Sequence, residues 1–304
     1  MTVRYILVTI EDIQKPIPRV LEDYIYSLNI ISDVINLNEL TQDRLNSTTD
    51  MFILTQMWID VSLIPAYVIK SNRIAYLNVE MLTEIYRMNH VLELVQAGVK
   101  IFDYSNSNLL YLNKYIKQQQ LKVDNLSARY LPYQYNLRDQ LQLKNVDGVY
   151  KYDVGVINAV IKRDNSVNSE LTYRRANLWE KLQESELNCI NILGWGAERD
   201  ELLKRCKVII NVHHFECYNI FEQIRCDRLL FAKKIIISDK SVLTETYDMV
   251  DHVIWEDFDK IIPRAKEVVN NFEKYDNRLI SLPVDDVVQN RHKQLSDALQ
   301  IPLA

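Results

Sequence analysis

Glycine and proline are scarce, with 5 and 7 residues among 304. That scarcity excludes collagen-like repeats and Gly-rich linkers. Neither half carries a GxGxxG after its first strand candidate, which weighs against a dinucleotide-dependent oxidoreductase. The four cysteines, Cys189, Cys206, Cys217 and Cys226, form no CxxC pair. Packed, reduced thiols in a cytosolic setting are therefore expected rather than a disulfide framework or a zinc site. No segment reaches the roughly 18 uninterrupted apolar residues of a membrane span. The first apolar run, Tyr5 to Ile10, meets Glu11 and Asp12 at once, so it reads as a buried strand and not as a signal-peptide core. A net charge of −5 with no basic run, the local exceptions being the short pairs Lys162-Arg163, Arg174-Arg175 and Lys233-Lys234, argues against nucleic acid as the main partner, since phosphate backbones require clustered cations.

Isoleucine, asparagine, lysine and tyrosine are favoured instead, a bias that suggests an AT-rich coding sequence of the kind found in some viruses and bacteria. The expected location is the cytoplasm, the host's if the source is viral. The length is about twice the roughly 150 residues of one domain, so two domains are expected. Short apolar runs alternate with segments of helical period, the pattern of βα units on a mainly parallel sheet. Strand candidates in the first half are Arg4 to Thr9, Asp33 to Leu37, Met51 to Leu54, Ile74 to Val79, Lys100 to Tyr104 and Ala128 to Leu131. Helices are expected at Thr83 to Ala97, opening on an N-cap residue and stopped by Gly98, and at Asn106 to Gln119. The second series has strands at Asp153 to Ile157, Cys189 to Leu193, Lys207 to Val212, Lys234 to Ser238 and His252 to Trp255. Its helices fall near Leu171 to Glu184, Glu198 to Arg205, Ile220 to Phe231 and Phe258 to Phe272. The polar stretch Pro132 to Lys151 reads as a linker. The domains expected are residues 1–135, residues 152–282, and a terminal helix in 283–304 that folds back on the first.

In open α/β sheets, ligands bind beyond the carboxyl ends of strands. In the second half those ends are succeeded by Asn158 with Lys162-Arg163 and Arg174-Arg175, by Gly194-Trp195-Gly196 with Arg199-Asp200, and by His213-His214-Phe215-Glu216. The most informative segment is Lys207 to Ser241: a buried strand, a polar turn, a helix and a second buried strand. Glu222 falls early in that helix, with Arg225 one turn later. A glutamate there can accept hydrogen bonds from the vicinal hydroxyls of a ribose, and amides at the helix start can receive phosphate oxygens. The competing structural role is an ordinary Glu222–Arg225 pair at i,i+3, supporting the helix by a few tenths of a kcal/mol. His213 and His214, being adjacent at a strand end, should point to opposite faces. Asp257-Phe258-Asp259 and Asp285-Asp286 read as helix-start carboxylates, and with no HxxxH or CxxC a metal site is not expected.

This segment resembles the donor-binding signature of GT-B fold glycosyltransferases, in which a strand, a loop and a helix carry two glutamates with seven residues between them. Here Glu216 and Glu222 have five residues between them, so Glu222 matches the second glutamate and Glu216 the first only across a shorter loop. Gly194 to Asp200, followed by Cys-Lys-Val-Ile-Ile-Asn-Val-His and Phe-Glu-x-x-Arg, is similar to glycosyltransferase-like proteins of large DNA viruses and bacteria, over about Asp153 to Asn271. The resemblance implies two Rossmann-like domains facing across a cleft, and a metal-independent enzyme without a cofactor. Such an enzyme moves a sugar from a nucleotide-diphosphate sugar to a glycan or other hydroxyl acceptor. It implies a donor site with Glu222 on the ribose and the amides of Tyr218 to Phe221 on the diphosphate. Arg174, Arg175 or Arg199 would offset charge on the leaving group, with Arg225, Gly196 and Glu216 nearby. Catalytic candidates are His213 and, for an acceptor-side base, Glu80, with Glu11 and Asp12 as alternatives. A second reading is a non-catalytic module that keeps the fold and pocket, motivated by the shortened glutamate spacing and the few glycines near the phosphate site.

Overall fold

The structure is a computed structural model that describes residues 4–9, 19–47, 49–54, 60–121, 126–145, 147–157, 173–194, 196–214, 216–217, 219–280 and 284–299. The chain divides into two units, Met1–Gln134 with Val288–Ala304, and Tyr135–Val287. In chain order the first unit runs β1 (Tyr5–Thr9), α1 (Arg19–Leu28), β2 (Ile31–Asn36), α2 (Gln42–Ser47), β3 (Met51–Leu54), α3 (Ala66–Lys70), β4 (Ile74–Asn78), α4 (Ile85–Gln96), β5 (Lys100–Asp103), α5 (Asn106–Gln118) and β6 (Ala128–Tyr130). Its strands form one parallel sheet in the order β2-β1-β3-β4-β5-β6. The second unit runs α6 (Leu137–Leu143), β7 (Tyr152–Ile157), α7 (Tyr173–Gln183), β8 (Cys189–Ile192), α8 (Ala197–Lys204), β9 (Cys206–Asn211), α9 (Gln223–Phe231), β10 (Ile235–Asp239), β11 (Val253–Glu256), α10 (Ile261–Asn270) and α11 (Phe272–Ile280). Its sheet is also parallel, ordered β11-β10-β9-β7-β8. Among the described residues no helix is long and apolar enough to cross a membrane.

Continuous apolar strands are what a parallel sheet covered on both faces requires. In the second unit Val208, Ile210, Ile235 and Ile237 share one core with Leu178 and Leu182 of α7 and with Ile261, Ala265 and Val268 of α10. Helical spacing puts each helical set on one face. The intervening Ile209 and Ile236 are buried as well. Gly155 in β7 is a packing glycine, since a Cβ there would lie 2.7 Å from both Cys206 Sγ and Ile192 Cδ1. Burial pushes the Cys206 thiol up to about 12 and Cys189 up to about 11, as packed thiols should behave.

The final helix, α12 (Val284–Leu299), is tied to the first unit by specific bonds. The Tyr5 hydroxyl donates to the Leu299 carbonyl at 2.6 Å, and Arg129 donates to the carbonyls of Asp297 and Ala298 at 2.9 and 3.0 Å. Arg291, wholly buried, donates to the Tyr133 carbonyl at 3.0 Å.

Several boundaries differ from the sequence expectation for local physical reasons. Helix α4 is capped by Glu84, not Thr83: Glu84 has an extended backbone and its carboxylate accepts the Tyr86 N–H. The Gly98 stop is present, with φ +88° and bonds from Gly98 N to Val95 O and Val99 N to Leu94 O, the paired arrangement that closes a helix on a left-handed residue. The stretch read as linker contains α6, which buries Leu143 while Leu137 stays exposed. Phe258–Lys260 forms a separate turn before α10, and α10 ends at Asn270 with α11 following.

Four strands end in buried polar residues, Asn78, Asp103, Asn211 and Asp239, each at most 1 % exposed. Buried polar groups must find partners, and this requirement builds a cluster at the carboxyl end of each sheet. In the first unit Asp103 accepts from Asn78 at 2.6 Å, from Asn108 at 3.0 Å and from the Ser105 N–H at 2.8 Å. Asn78 and Asn108 also donate to the Glu80 carbonyl at 2.9 and 2.8 Å, which fixes the loop after β4. Burial pushes the Asp103 carboxyl up to about 8 against these three favourable bonds. A raised folded-state value means the native state holds a proton that the unfolded chain has lost, so stability falls as pH rises from about 4 through 8. Thermal unfolding should therefore show the first unit losing of order 2 kcal/mol between about pH 6 and pH 9. Asp103→Asn should remove that slope, and a flat profile in the unsubstituted chain would show that the carboxyl is ionised throughout.

Candidate functional site

The second sheet has one topological switch point. From β7 the chain goes to β8 on one side and then to β9 on the other, and in such sheets the crevice outside the strand ends at that point receives ligands. The residues that succeed β9 and β10, with the start of α7, occupy this edge. Their polar side chains form two adjoining groups, one on Glu222 and one on Asp239, linked where the Ser238 hydroxyl donates to the Asp239 carbonyl at 3.2 Å.

Glu222 precedes the first residue of α9 as its N-cap, with φ −79° and ψ 73° and no capping bond from its side chain. The helix starts three residues later than the expected Ile220, which leaves Glu222 at its mouth. Its carboxylate is committed to two arginines: Arg225, one turn on, and Arg175 of α7, whose Nη2 is 3.4 Å away. Arg175 also donates through Nε to the Val212 carbonyl at 2.9 Å, so the residue after β9 positions the guanidinium. Arg225 donates to Asn211 Oδ1 at 3.1 Å, and Asn211 donates to Ser238 Oγ at 3.1 Å. Burial works against the Glu222 charge, yet Arg225 and Arg175 outweigh it and hold the carboxyl below the ordinary glutamate range. Burial likewise pulls Arg175 down to about 10, with Glu222 opposing the fall. The i,i+3 pair foreseen for Glu222 is present, and the second arginine makes it more than a helix-surface pair.

Asp239, at the end of β10, is the other anchor. It accepts Arg174 Nη2 at 2.9 Å and the His213 N–H at 3.2 and 3.3 Å, and its Oδ1 lies 2.8 Å from His213 Nδ1. The opposite ring nitrogen, Nε2, is 3.1 Å from Ser241 Oγ. Arg174 is stacked on Phe258, 4.0 Å from the ring centroid, a cation–π contact that fixes the guanidinium plane. Among the described residues, three guanidinium groups, Arg174, Arg175 and Arg225, thus surround two carboxylates, Glu222 and Asp239, leaving one cationic charge in excess.

The structure brings Glu222, Arg225, Arg174, Arg175 and His213 together. Arg199, in the first turn of α8, pairs with the neighbouring Asp200 at 3.2 Å. Gly196 is exposed and is the N-cap of α8, with φ +70°. Glu216 and Cys217 are exposed, and His214 is half-buried. Glu80 belongs to the first unit, where its carboxylate pairs with Arg87, which also lies 3.4 Å from Glu84. Asn158, Lys162, Arg163, Trp195, Phe215 and Tyr218 of the second unit, and Glu11 and Asp12 of the first, lie outside the described residues. Sequence reasoning did not single out Asp239, Ser241, Asn211 or Ser238. Inspecting the residues just after each apolar strand points to His213, and the same inspection after the strand Lys234 to Ser238 reaches Asp239 and Ser241.

Among the described residues no three His, Cys, Asp or Glu side chains converge to hold a metal ion. The carboxylate of Asp257, in the DxD, is taken by Lys240 at 2.6 Å and Lys260 at 2.8 Å. Those two bonds hold it at about 2.

No family model matches the chain. An uncharacterized protein of Acanthamoeba polyphaga mimivirus is 29 % identical over 210 residues, which is 67 % of this chain and 26 % of that protein. A second uncharacterized mimivirus protein is 25 % identical over 275 residues, 88 % of this chain and 79 % of its own length. The chain spans about a quarter of the length of the first relatives it matches, 26 % and 23 %. Among solved structures it is similar to an alpha-glucosyltransferase in complex with UDP-glucose and DNA containing an abasic site. That match has a TM-score of 0.55 and 10 % identity, over 96 % of this chain and 94 % of that one. The likeness shows the fold: two Rossmann-like domains of the GT-B type.

Proposed function

We propose that the chain is a glycosyltransferase that moves a sugar from a nucleotide-diphosphate sugar to a hydroxyl acceptor without a metal, with the donor seated at the strand ends of the second unit. The observation that carries this reading is Glu222, an ionised carboxylate at the mouth of α9 and at the switch point of the sheet, flanked by Arg175 and Arg225. Vicinal ribose hydroxyls are donors that an ionised carboxylate binds well, and the flanking guanidinium groups suit the diphosphate next to that ribose. The one excess cation offsets part of the negative charge that builds on the departing nucleoside diphosphate as the glycosidic bond breaks. Electrostatic stabilisation of this kind is worth several kcal/mol when the donors are fixed beforehand. Here they are fixed by Val212, Asn211 and Phe258.

Two groups are candidates for taking the proton of the attacking hydroxyl. Arg87 occupies the carboxylate of Glu80, whereas His213 lies inside the donor cluster. Saturation-transfer NMR with a panel of UDP-, GDP- and dTDP-sugars tests the reading: transfer to at least one ribose and its sugar is expected, and silence across the panel would count decisively against it. Donor hydrolysis separates an enzyme from a module that binds without turnover.

A further inference from the structure

His213 carries the right chemistry for a proton acceptor, but its position denies it contact with a substrate. The residue is 2 % exposed, and both of its ring nitrogens are engaged, Nδ1 with Asp239 at 2.8 Å and Nε2 with Ser241 at 3.1 Å. Whatever His213 does, it does through its neighbours. Of those, Asp239 is 1 % exposed, while Ser241 is only half-buried. Of these three residues, Ser241 is the one that reaches the surface.

We propose that Ser241 is the catalytic residue that takes the proton of the attacking hydroxyl, passing its own to His213, with His213 and Asp239 as positioning residues. This rests on the glycosyl-transfer reading above. The direction of the relay follows from the partners. Asp239 receives the His213 backbone N–H, Arg174 and the ring Nδ1, so its carboxylate is an acceptor throughout and the ring proton is assigned to Nδ1. A neutral ring then turns the lone pair of Nε2 toward Ser241, whose O–H donates to it. The lone pairs of Ser241 Oγ are left to accept from a substrate hydroxyl. The loop is held in place by the Val242 N–H, which donates to the Asn219 carbonyl at 2.8 Å.

The attacking oxygen bonds to the anomeric carbon as the bond from that carbon to the diphosphate oxygen breaks, its electron pair leaving on the phosphate. The proton of the attacking hydroxyl moves to Ser241 Oγ while the Ser241 proton moves to His213 Nε2. Asp239 stabilises the imidazolium, and the proton returns to water after the product leaves. No redox partner is involved. General-base assistance of this kind contributes roughly 10²- to 10⁴-fold to a rate.

The experiment uses the full chain and the nucleotide sugar that binds it in the NMR panel, with water as acceptor. Hydrolysis is followed for the unsubstituted chain, Ser241→Ala and Ser241→Thr, with thermal midpoints as the check on folding. The expected result is a fall in kcat of about 100-fold or more for Ser241→Ala, with KM for the donor nearly unchanged. Ser241→Thr, which keeps a hydroxyl, should recover much of that loss, and the unsubstituted chain should show a solvent deuterium effect on kcat from two protons in motion. Ser241→Ala with normal kcat overturns the relay, and so does a loss confined to KM, which would make Ser241 a binding residue. A donor that binds without any turnover overturns the relay and leaves the binding reading standing; if no donor binds, both fall.

Discussion

Replacing Asp200 by alanine is expected to cost the second unit about 3–5 kcal/mol, the range for breaking a buried ion pair by removing one partner. Arg228 of α9 is 4 % exposed and donates to both oxygens of Asp200 at 2.6 and 2.7 Å. The same guanidinium reaches Gln142 Oε1 of α6 at 3.3 Å. One carboxylate in the first turn of α8 therefore holds three helices together, and its loss strands a buried cation. For a unit of this size each kcal/mol moves the midpoint by about 2–4 °C, so a fall of roughly 6–20 °C is expected in a thermal melt. Asp200→Leu combined with Arg228→Met should recover part of it, because the most deeply buried cation is removed together with its partner while Arg199 still loses Asp200. A fall of only a degree or two would mean the pair is solvated.

The second large effect concerns the donor. Among the described residues, Glu222→Ala removes the only carboxylate paired with both Arg175 and Arg225, so a ribose loses a charged acceptor for its hydroxyls. Hydrogen bonds to charged groups are worth about 1.5–3 kcal/mol each, and affinity for the nucleotide sugar should fall about 30- to 100-fold. Inorganic pyrophosphate, which has no ribose and would meet two freed arginines, should bind no worse. This contrast separates recognition by Glu222 from a general disturbance of the site, since an unfolded pocket would lose both ligands.

How far these features are legible in the sequence depends on whether their cause is local. The strands are legible because a parallel strand buried on both faces needs an apolar run, as Met51–Leu54 has throughout and Cys206–Asn211 has in its Val-Ile-Ile centre. The short helices α2 and α3, of six and five residues, are too brief for a helical period to emerge from composition, and they owe their existence to the sheet they pack on. The break between α10 and α11 at Asn271 leaves no proline or glycine as a marker.

The site divides in the same way. Glu222, Arg225 and His213 stand within one contiguous segment whose strand-turn-helix order can be read directly. The partner of Glu222 from α7 lies 47 residues earlier in the chain, and nothing local says whether Arg174 or Arg175 reaches it. The fold decides: Arg175 takes Glu222 and Val212, and Arg174 takes Asp239 and Phe258. Asp239 has only its place after an apolar strand as a signal in one dimension, because an aspartate before Lys240-Ser241 otherwise reads as an ordinary turn. Only the parallel pairing of β9 with β10 brings it to His213. Arg199 shows the converse case, a promising arginine after a strand end that the structure gives to Asp200.

Donor recognition by Glu222 is decided by isothermal titration of the unsubstituted chain and of Glu222→Ala against the nucleotide sugar with the strongest NMR transfer. Saturable one-to-one binding is expected for the unsubstituted chain, with affinity at least about 30-fold weaker for the variant and pyrophosphate binding undiminished. Equal affinity of the two proteins for the nucleotide sugar would refute a ribose contact at Glu222 and, with it, the placement of the donor at this sheet edge.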